Sequence, residues 1–86
     1  MKELERVLKA MANRRRLAII KYLKNRNEAT VGDIASSIKL SFRSTSKHLG
    51  VLAAADIVEK EQRSLQVYYR LAEQLPLAVK NILSLV

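Results

Sequence analysis

The sequence predicts an α+β fold that is mostly helical, and three observations support this class. Apolar residues recur at helical spacing in four segments before residue 57. The period changes to two in segments 58–62 and 66–71, on either side of a short turn, which indicates one β-hairpin. Helical spacing then returns after Pro76. The predicted order is helix, helix, helix-turn-helix, β-hairpin and C-terminal helix.

Composition limits the class of protein. The 86 residues are too few for two cores, so we expect one domain, 1–86, and the hydrophobic share of 49% is normal for a folded chain. The absence of cysteine excludes disulfides and thiolate metal sites. No apolar run reaches the roughly 18 residues of a membrane span, and the N-terminus is too charged for a signal peptide. We therefore expect a cytoplasmic protein with no membrane partner.

The net charge is +8, from 16 Lys and Arg against 8 Asp and Glu. The excess lies mostly in residues 1–43, which carry 11 basic and 4 acidic side chains. Such an excess favours a polyanionic partner, whether DNA, RNA or an anionic membrane. A cationic surface that meets only solvent is the alternative, and charge alone does not separate the two.

Residues 1–25 predict the first two helices. In the first, Met1 to Met11, the apolar positions i, i+3, i+4 and i+7 are Leu4, Val7, Leu8 and Met11. Asn13 is a suitable cap for the second helix, which is expected to run to about Asn25. Its first turn holds Arg14, Arg15 and Arg16. These cations oppose the positive helix end, which favours a bound phosphate there; a solvated basic turn is the alternative.

The segment from residue 30 to residue 56 predicts a helix-turn-helix. Thr30-Val31-Gly32-Asp33 has the form of a capping box and begins a short helix through Ile38. Lys39-Leu40-Ser41 is the predicted turn, and Ser41 caps the helix that follows. Two short helices joined by such a turn are typical of this motif.

The second helix of this motif, within Leu40 to Asp56, has two different faces. The buried face is expected to contain Thr45, Leu49, Leu52 and Ala53. The opposite face contains Arg43, Ser46, Lys47 and Gly50. Because it has cations and a hydroxyl but no acid before Asp56, that face suits the DNA major groove. We interpret this helix as a recognition helix.

The β-hairpin that follows is the expected wing of a winged helix. Lys60 and Arg63 near its tip are candidate contacts to a phosphate or to the minor groove. Glu59 and Glu61 weaken that expectation, and Leu65 at the tip adds no charge. The pattern leaves the contact between wing and DNA open.

The last helix is predicted to begin at Leu75-Pro76, with proline at the first helical position. Its apolar stripe is too broad for packing on one side, so we expect another chain to cover part of it. With the first helix it predicts a C₂ dimer through the terminal helices. The expected interface residues are Leu4, Val7, Leu8, Val79, Ile82, Leu83 and Val86.

Four strings resemble ArsR/SmtB-type winged-helix repressors: LKAMANRRRLAIIKYL (8–23), TVGDIA (30–35), SFRSTSKHLGVL (41–52) and QVYYRL (66–71). The resemblance covers about residues 4–75 and implies a homodimeric regulator that inserts one recognition helix per subunit into operator DNA. The DNA-contacting positions that it implies are Ser41, Phe42, Arg43, Ser44, Ser46, Lys47 and His48, with Arg63 in the wing and Arg16 in the second helix.

The chain departs from that family at the metal sites and at the wing tip. The family's third-helix site, roughly ELCVCDL, corresponds to residues 28–34, where Thr30 and Gly32 replace both cysteines. The last helix lacks the His and carboxylates of the other family site, and a lone His cannot form a zinc site. We expect no metal and no cofactor. Ser64 and Leu65 replace the usual Gly-Arg wing tip, and Phe42 replaces a usual Gln.

We therefore expect a homodimeric, sequence-specific DNA-binding transcriptional regulator that acts as a repressor. Arg43, Ser46 and Lys47 would face the groove, while the arginines at 14–16 and Arg63 would hold phosphates. The alternatives are a winged-helix protein–protein interaction module and a non-specific nucleic-acid binder. An enzyme is not expected, because one His, no Cys and no Gly-rich phosphate loop leave little catalytic chemistry.

Overall fold

The computed structural model describes all 86 residues as five helices and three short strands. The elements in chain order are α1 (Lys2–Met11), α2 (Arg14–Lys24), β1 (Ala29–Thr30), α3 (Val31–Ile38), α4 (Phe42–Ala54), β2 (Val58–Arg63), β3 (Gln66–Leu71) and α5 (Leu77–Leu83). The predicted class, α+β and mostly helical, is confirmed. None of the helices has the length and hydropathy that crossing a membrane requires.

The predicted helix caps are confirmed. The Asn13 side chain accepts hydrogen bonds from the amides of Arg15 and Arg16, at 2.9 Å and 3.1 Å. Thr30 and Asp33 form the complete capping box of α3, and the Ser41 hydroxyl accepts from the amide of Ser44. These short-range bonds satisfy amides that have no partner inside their helices. The local sequence therefore determines where α2, α3 and α4 begin.

The core lies where α2, α3 and α4 meet. Its fully buried apolar side chains include Ile19, Ile20, Leu23, Ile34, Leu49, Leu52 and Ile57. Thr45 is buried among them, and its hydroxyl has no hydrogen-bond partner. Lys39 takes a left-handed conformation, with φ of 57°, and makes the tight turn between α3 and α4. The buried back of α4 is thus held on two other helices.

The strands form an antiparallel sheet in the order β1-β3-β2, and β1 was not predicted. Residues 25–29 were expected to be a connection only, but Ala29 and Thr30 pair with Tyr69 and Tyr68 of β3. A strand of two residues is too short to show a period of two. Its pairing attaches the wing directly to the start of α3.

The turn of the wing is also shorter than predicted. Arg63 belongs to β2, where it pairs with Gln66, so the turn consists of Ser64 and Leu65 alone. Ser64 has φ of 57°, in the left-handed region that favours glycine. This conformation accounts for the glycine that the resembling family usually has at this position.

Two details of the C-terminal helix and of the expected interface need correction. Pro76 is the N-cap of α5 and not its first residue. Val7 and Val79 are buried in the protomer's own core, so they offer no surface to a second chain. Leu4 and Leu8 of α1 are 42% and 44% exposed, Leu77 is exposed at the start of α5, and Leu85 is exposed two residues beyond its end. Ile82, Leu83 and Val86 are half-buried.

Candidate nucleic-acid interface

The outward face of α4 carries its cations without internal partners. Arg43 and Lys47 are exposed, and neither takes part in a salt bridge or a side-chain hydrogen bond. Ser44 and Ser46 are half-buried beside them, and Ser41 is exposed at the cap. A methyl group at Gly50 would meet open space, so nothing in the protomer requires glycine there. This face is available to an external anion.

A groove of about 660 Å³ separates α4 from the wing. Phe42 and Ser46 form its α4 side, and Lys60 and Gln62 form its wing side. Residues 30–32, at the start of α3, also line it. The exposed side chains of Phe42 and Leu65 make part of this groove apolar. The groove thus joins the outward face of α4 and one face of the wing into a continuous concave surface.

The two cations predicted in the wing lie on opposite faces of it. Side chains alternate along a strand, so Lys60 and Gln62 share the groove face while Glu59, Glu61 and Arg63 share the other. Of the two cations, only Lys60 lines the groove beside α4. Arg63 points to what we call the outer face of the wing.

Five charged residues on that face form what we call the outer cluster: Glu28, Glu59, Glu61, Arg63 and Arg70. Arg63 donates through both terminal nitrogens to the two oxygens of Glu28, with 2.7 Å between Nη1 and Oε2. Its Nε lies 3.3 Å from an oxygen of Glu61, and Arg70 lies 3.0 Å from Glu61 and 3.5 Å from Glu59. The hydrogen bond from Arg63 lowers the pKa of Glu28, and those from Arg63 and Arg70 lower the pKa of Glu61. Every charge in the outer cluster is paired.

The three arginines at the start of α2 have different surroundings. Arg16 points inward: its Nε donates to the carbonyl of Ala10 at 2.5 Å, and its Nη2 donates to that of Lys9 at 3.3 Å. These carbonyls belong to the last turn of α1, which a cation stabilises. Arg14 is exposed and Arg15 is half-buried, and neither side chain makes a hydrogen bond or a salt bridge. Two of the three arginines therefore remain available to a phosphate.

His48 connects α4 to Arg16 at the start of α2. The Arg16 Nη1 lies 3.2 Å from Nδ1 of His48, and because a guanidinium only donates, Nδ1 must accept and Nε2 carries the proton. Burial lowers the pKa of His48 below its ordinary value of 6.5, and the nearby charges of Arg16, Arg15 and Lys47 lower it further. These surroundings therefore favour the neutral form of the ring. Sequence periodicity gave no sign of this contact between residues 32 positions apart.

The acids near the family's third-helix metal site are engaged within the chain. Glu28 is paired with Arg63, and an oxygen of Asp33 accepts from the Thr30 amide at 3.4 Å as part of the capping box. The structure brings together no group of three His, Cys, Asp or Glu side chains that could hold a metal ion. The absence of a metal and a cofactor remains a prediction.

Comparisons with known proteins agree with this arrangement. A family model described as bacterial regulatory protein, arsR family, matches residues 13–60, which contain α2 to α4. The transcriptional activator HlyU of Vibrio cholerae is 39% identical over 66 residues, or 77% of this chain and 60% of that protein. The matched region thus spans less than two thirds of that relative's length.

Solved structures extend the likeness to nearly the whole chain. Reduced HlyU from Vibrio cholerae superposes with a TM-score of 0.82 and 34% identity, covering 98% of this chain and 84% of that one. A homodimeric winged helix-turn-helix domain from Mycobacterium bovis gives 0.83 and 31%, covering 98% and 74%. The transcriptional repressor BigR of Xylella fastidiosa gives 0.74 and 32%, covering 84% and 72%. The chain therefore belongs to the ArsR family of bacterial regulatory proteins, which are transcriptional regulators with a DNA-binding winged helix-turn-helix.

Proposed function

We propose that this protein is a homodimeric regulator that binds specific sequences of double-stranded DNA and represses transcription without a metal signal. The observation that carries the proposal is the outward face of α4. Its Arg43 and Lys47 are exposed and unpaired, beside a groove whose other wall presents Lys60. An α-helix of this kind fits the DNA major groove, where side chains can reach base edges.

The candidate DNA contacts divide into two groups. Arg43, Ser46 and Lys47 of α4 are assigned to base edges, with Phe42 placed to touch a thymine methyl group. Arg14 and Arg15 at the start of α2 are assigned to phosphates, together with Lys60 across the groove. Arg16 and Arg63 are not assigned a DNA contact, because their donors are already bonded within the chain. Arg16 is bonded to backbone carbonyls and His48, and Arg63 is bonded to carboxylates.

Apolar surface at the two termini supports the dimer. Leu4 and Leu8 are exposed on α1, and Leu4 lines a shallow cleft with Leu77 at the start of α5. Covering such leucines with a second copy removes apolar area from water. The Mycobacterium bovis relative is described as homodimeric. We propose a C₂ interface formed by this surface, with Ile82, Leu83 and Val86 at its margin.

Repression follows most simply from occupation of a promoter, which requires nothing beyond the DNA-binding face. BigR is described as a repressor, whereas HlyU is described as an activator. Activation is for that reason the second candidate. A transcription assay on the bound promoter separates the two, since a repressor lowers transcript yield and an activator raises it.

Selection of bound duplexes from a random library tests specificity and dimerisation together. A C₂ dimer should enrich two inverted half-sites about one helical turn apart, or a multiple of it. Binding without enrichment of any sequence would point to a non-specific nucleic-acid binder. No binding to any duplex would favour a protein-interaction module.

The selected operator then allows the two groups of contacts to be separated. We expect Lys47→Ala to weaken operator binding by about 1–3 kcal/mol while changing binding to random DNA much less. Arg15→Ala should weaken binding to both duplexes alike and reduce the salt slope by about one. Lys21→Ala, at an exposed lysine of α2 that makes no salt bridge, is the control for lost charge alone. Equal losses on both duplexes for Lys47→Ala and Arg15→Ala would contradict the division.

A further inference from the structure

The pairing of β1 with β3 places Glu28 beside the guanidinium of Arg63, 35 residues away in sequence. Both terminal nitrogens of Arg63 bind the Glu28 carboxylate, and its Nε is directed at Glu61. Its plane lies over the Tyr68 ring, 4.4 Å from the centroid. A bidentate carboxylate occupies the donor geometry that a phosphate would use. A phosphate therefore cannot bind Arg63 unless Glu28 leaves.

The charges around Arg63 also disfavour a phosphate at this position. The outer cluster sets three carboxylates against two guanidinium groups, so this face of the wing is slightly negative on a protein of net charge +8. Lys60 on the groove face takes part in no salt bridge. The side chains of Arg63 and Glu28 are 42% and 32% exposed, so solvent screens the pair and an external anion can compete for it.

We infer that Glu28 sets the affinity of this protein for DNA by holding Arg63 on an internal carboxylate. The wing arginine contributes a phosphate contact only when the Glu28–Arg63 pair opens. This inference rests on the proposed function, because it assumes that the chain binds duplex DNA. It assigns a role to Glu28 that is separate from the base-reading residues of α4.

The variant Glu28→Gln tests this role, with Glu59→Gln as its matched control. Both substitutions remove one negative charge from the outer cluster, but Glu59 is bonded to Arg70 and not to Arg63. We expect Glu28→Gln to raise affinity for operator and random DNA by about three- to tenfold at low salt. The log–log salt slope should become steeper by about 0.9, as one added phosphate contact requires. Glu59→Gln should change affinity by less than about twofold.

A second substitution shows whether Arg63 causes the gain. In the wild-type background, Arg63→Ala should change DNA affinity by less than about twofold, because the arginine is already occupied. In the Glu28→Gln background, the same substitution should remove the whole gain and restore the wild-type salt slope. Unfolding midpoints of all variants, measured in parallel, verify that each is folded under the binding conditions.

Three results would overturn the inference while leaving the proposed function intact. The first is equal strengthening by Glu28→Gln and Glu59→Gln, which would indicate a general charge effect. The second is a loss from Arg63→Ala that is as large in the wild-type background as in the variant. The third is unchanged or weaker binding by Glu28→Gln. Failure of the wild type and every variant to bind duplex DNA would instead overturn the proposed function and the inference together.

Discussion

The helix-turn-helix and the wing both present cations to solvent, but the surroundings of those cations differ. Arg43 and Lys47 are exposed on α4 and make no salt bridge, whereas Arg63 and Arg70 of the wing are bonded to carboxylates. The number of basic residues in a segment therefore does not give the number of cations that are free of internal partners. Whether a cation is free to bind an external anion depends on whether the chain itself supplies a carboxylate beside it.

The two regions also differ in what holds them in place. The back of α4 is packed into the core through Leu49 and Leu52, which are fully buried. The distal half of the wing, residues 60–66, is exposed and held by strand pairing and surface ion pairs. Burial of apolar side chains contributes far more to stability than exposed ion pairs do. We therefore expect changes in α4 to affect the whole fold and changes in the wing to act locally.

A leucine-to-alanine substitution in each region should change the free energy of unfolding by very different amounts. Leu49→Ala should lower the free energy of unfolding by about 2–5 kcal/mol, because it leaves a cavity in the core. Leu65→Ala should leave it nearly unchanged, since Leu65 is 96% exposed at the wing tip. Urea unfolding followed by circular dichroism measures both. Comparable losses in the two variants would mean that Leu65 is packed and would contradict its exposed position at the wing tip.

Substitution of Arg16 should have a smaller effect on stability than that of Leu49, but a larger one than substitution of Arg63. Arg16→Ala removes bonds to the carbonyls of Lys9 and Ala10 and to His48, and it should cost about 1–3 kcal/mol of stability. Arg63→Ala should cost much less, because its partners remain solvated. The same urea series measures both. A greater loss of stability from Arg63→Ala would mean that the outer cluster contributes more to the free energy of unfolding than the contacts of Arg16 do.

The smallest change that we expect is in the pH dependence of stability, which should differ between the two regions. In the native state burial and cations lower the pKa of His48, so below about pH 6.5 the unfolded chain binds a proton that the native chain does not, and stability falls. Glu28 and Glu61 have lowered pKa values because arginines stabilise their carboxylates. Their contribution is present above about pH 4.5 and is lost as the pH falls below it.

Substitutions can assign these windows. His48→Gln keeps an acceptor for Arg16 and should abolish the decline in unfolding midpoint between about pH 7 and about pH 5, since His48 is the single histidine. Arg63→Ala should reduce the decline in unfolding midpoint below about pH 4.5. It should leave the decline between about pH 7 and about pH 5 unchanged. If His48→Gln declined as steeply as the wild type near pH 6, the titrating group would have to lie elsewhere.

Local signals explain what could be predicted from sequence. The caps at Asn13, Thr30 and Ser41 lie within three residues of the amides that they satisfy, and the buried residues of α4 recur at helical spacing. These features need no knowledge of distant chain segments. By contrast, β1 has two residues and exists because Tyr68 and Tyr69 of β3 lie alongside it.

Short-range signals in the sequence were enough to predict the starts of α2, α3 and α4, the two different faces of α4, the hairpin and the basic charge, because propensity, capping and periodicity act between near neighbours. Which cations remain unpaired depends instead on how the helices and strands pack. That packing turned Arg16 toward α1 and His48, placed Glu28 against Arg63, and buried Val7 and Val79 inside the protomer. Each of these outcomes depends on residues far apart in sequence that the packing of helices and strands brings together. Charge and periodicity identify candidate contacts, but the partner of each charge is set by the fold.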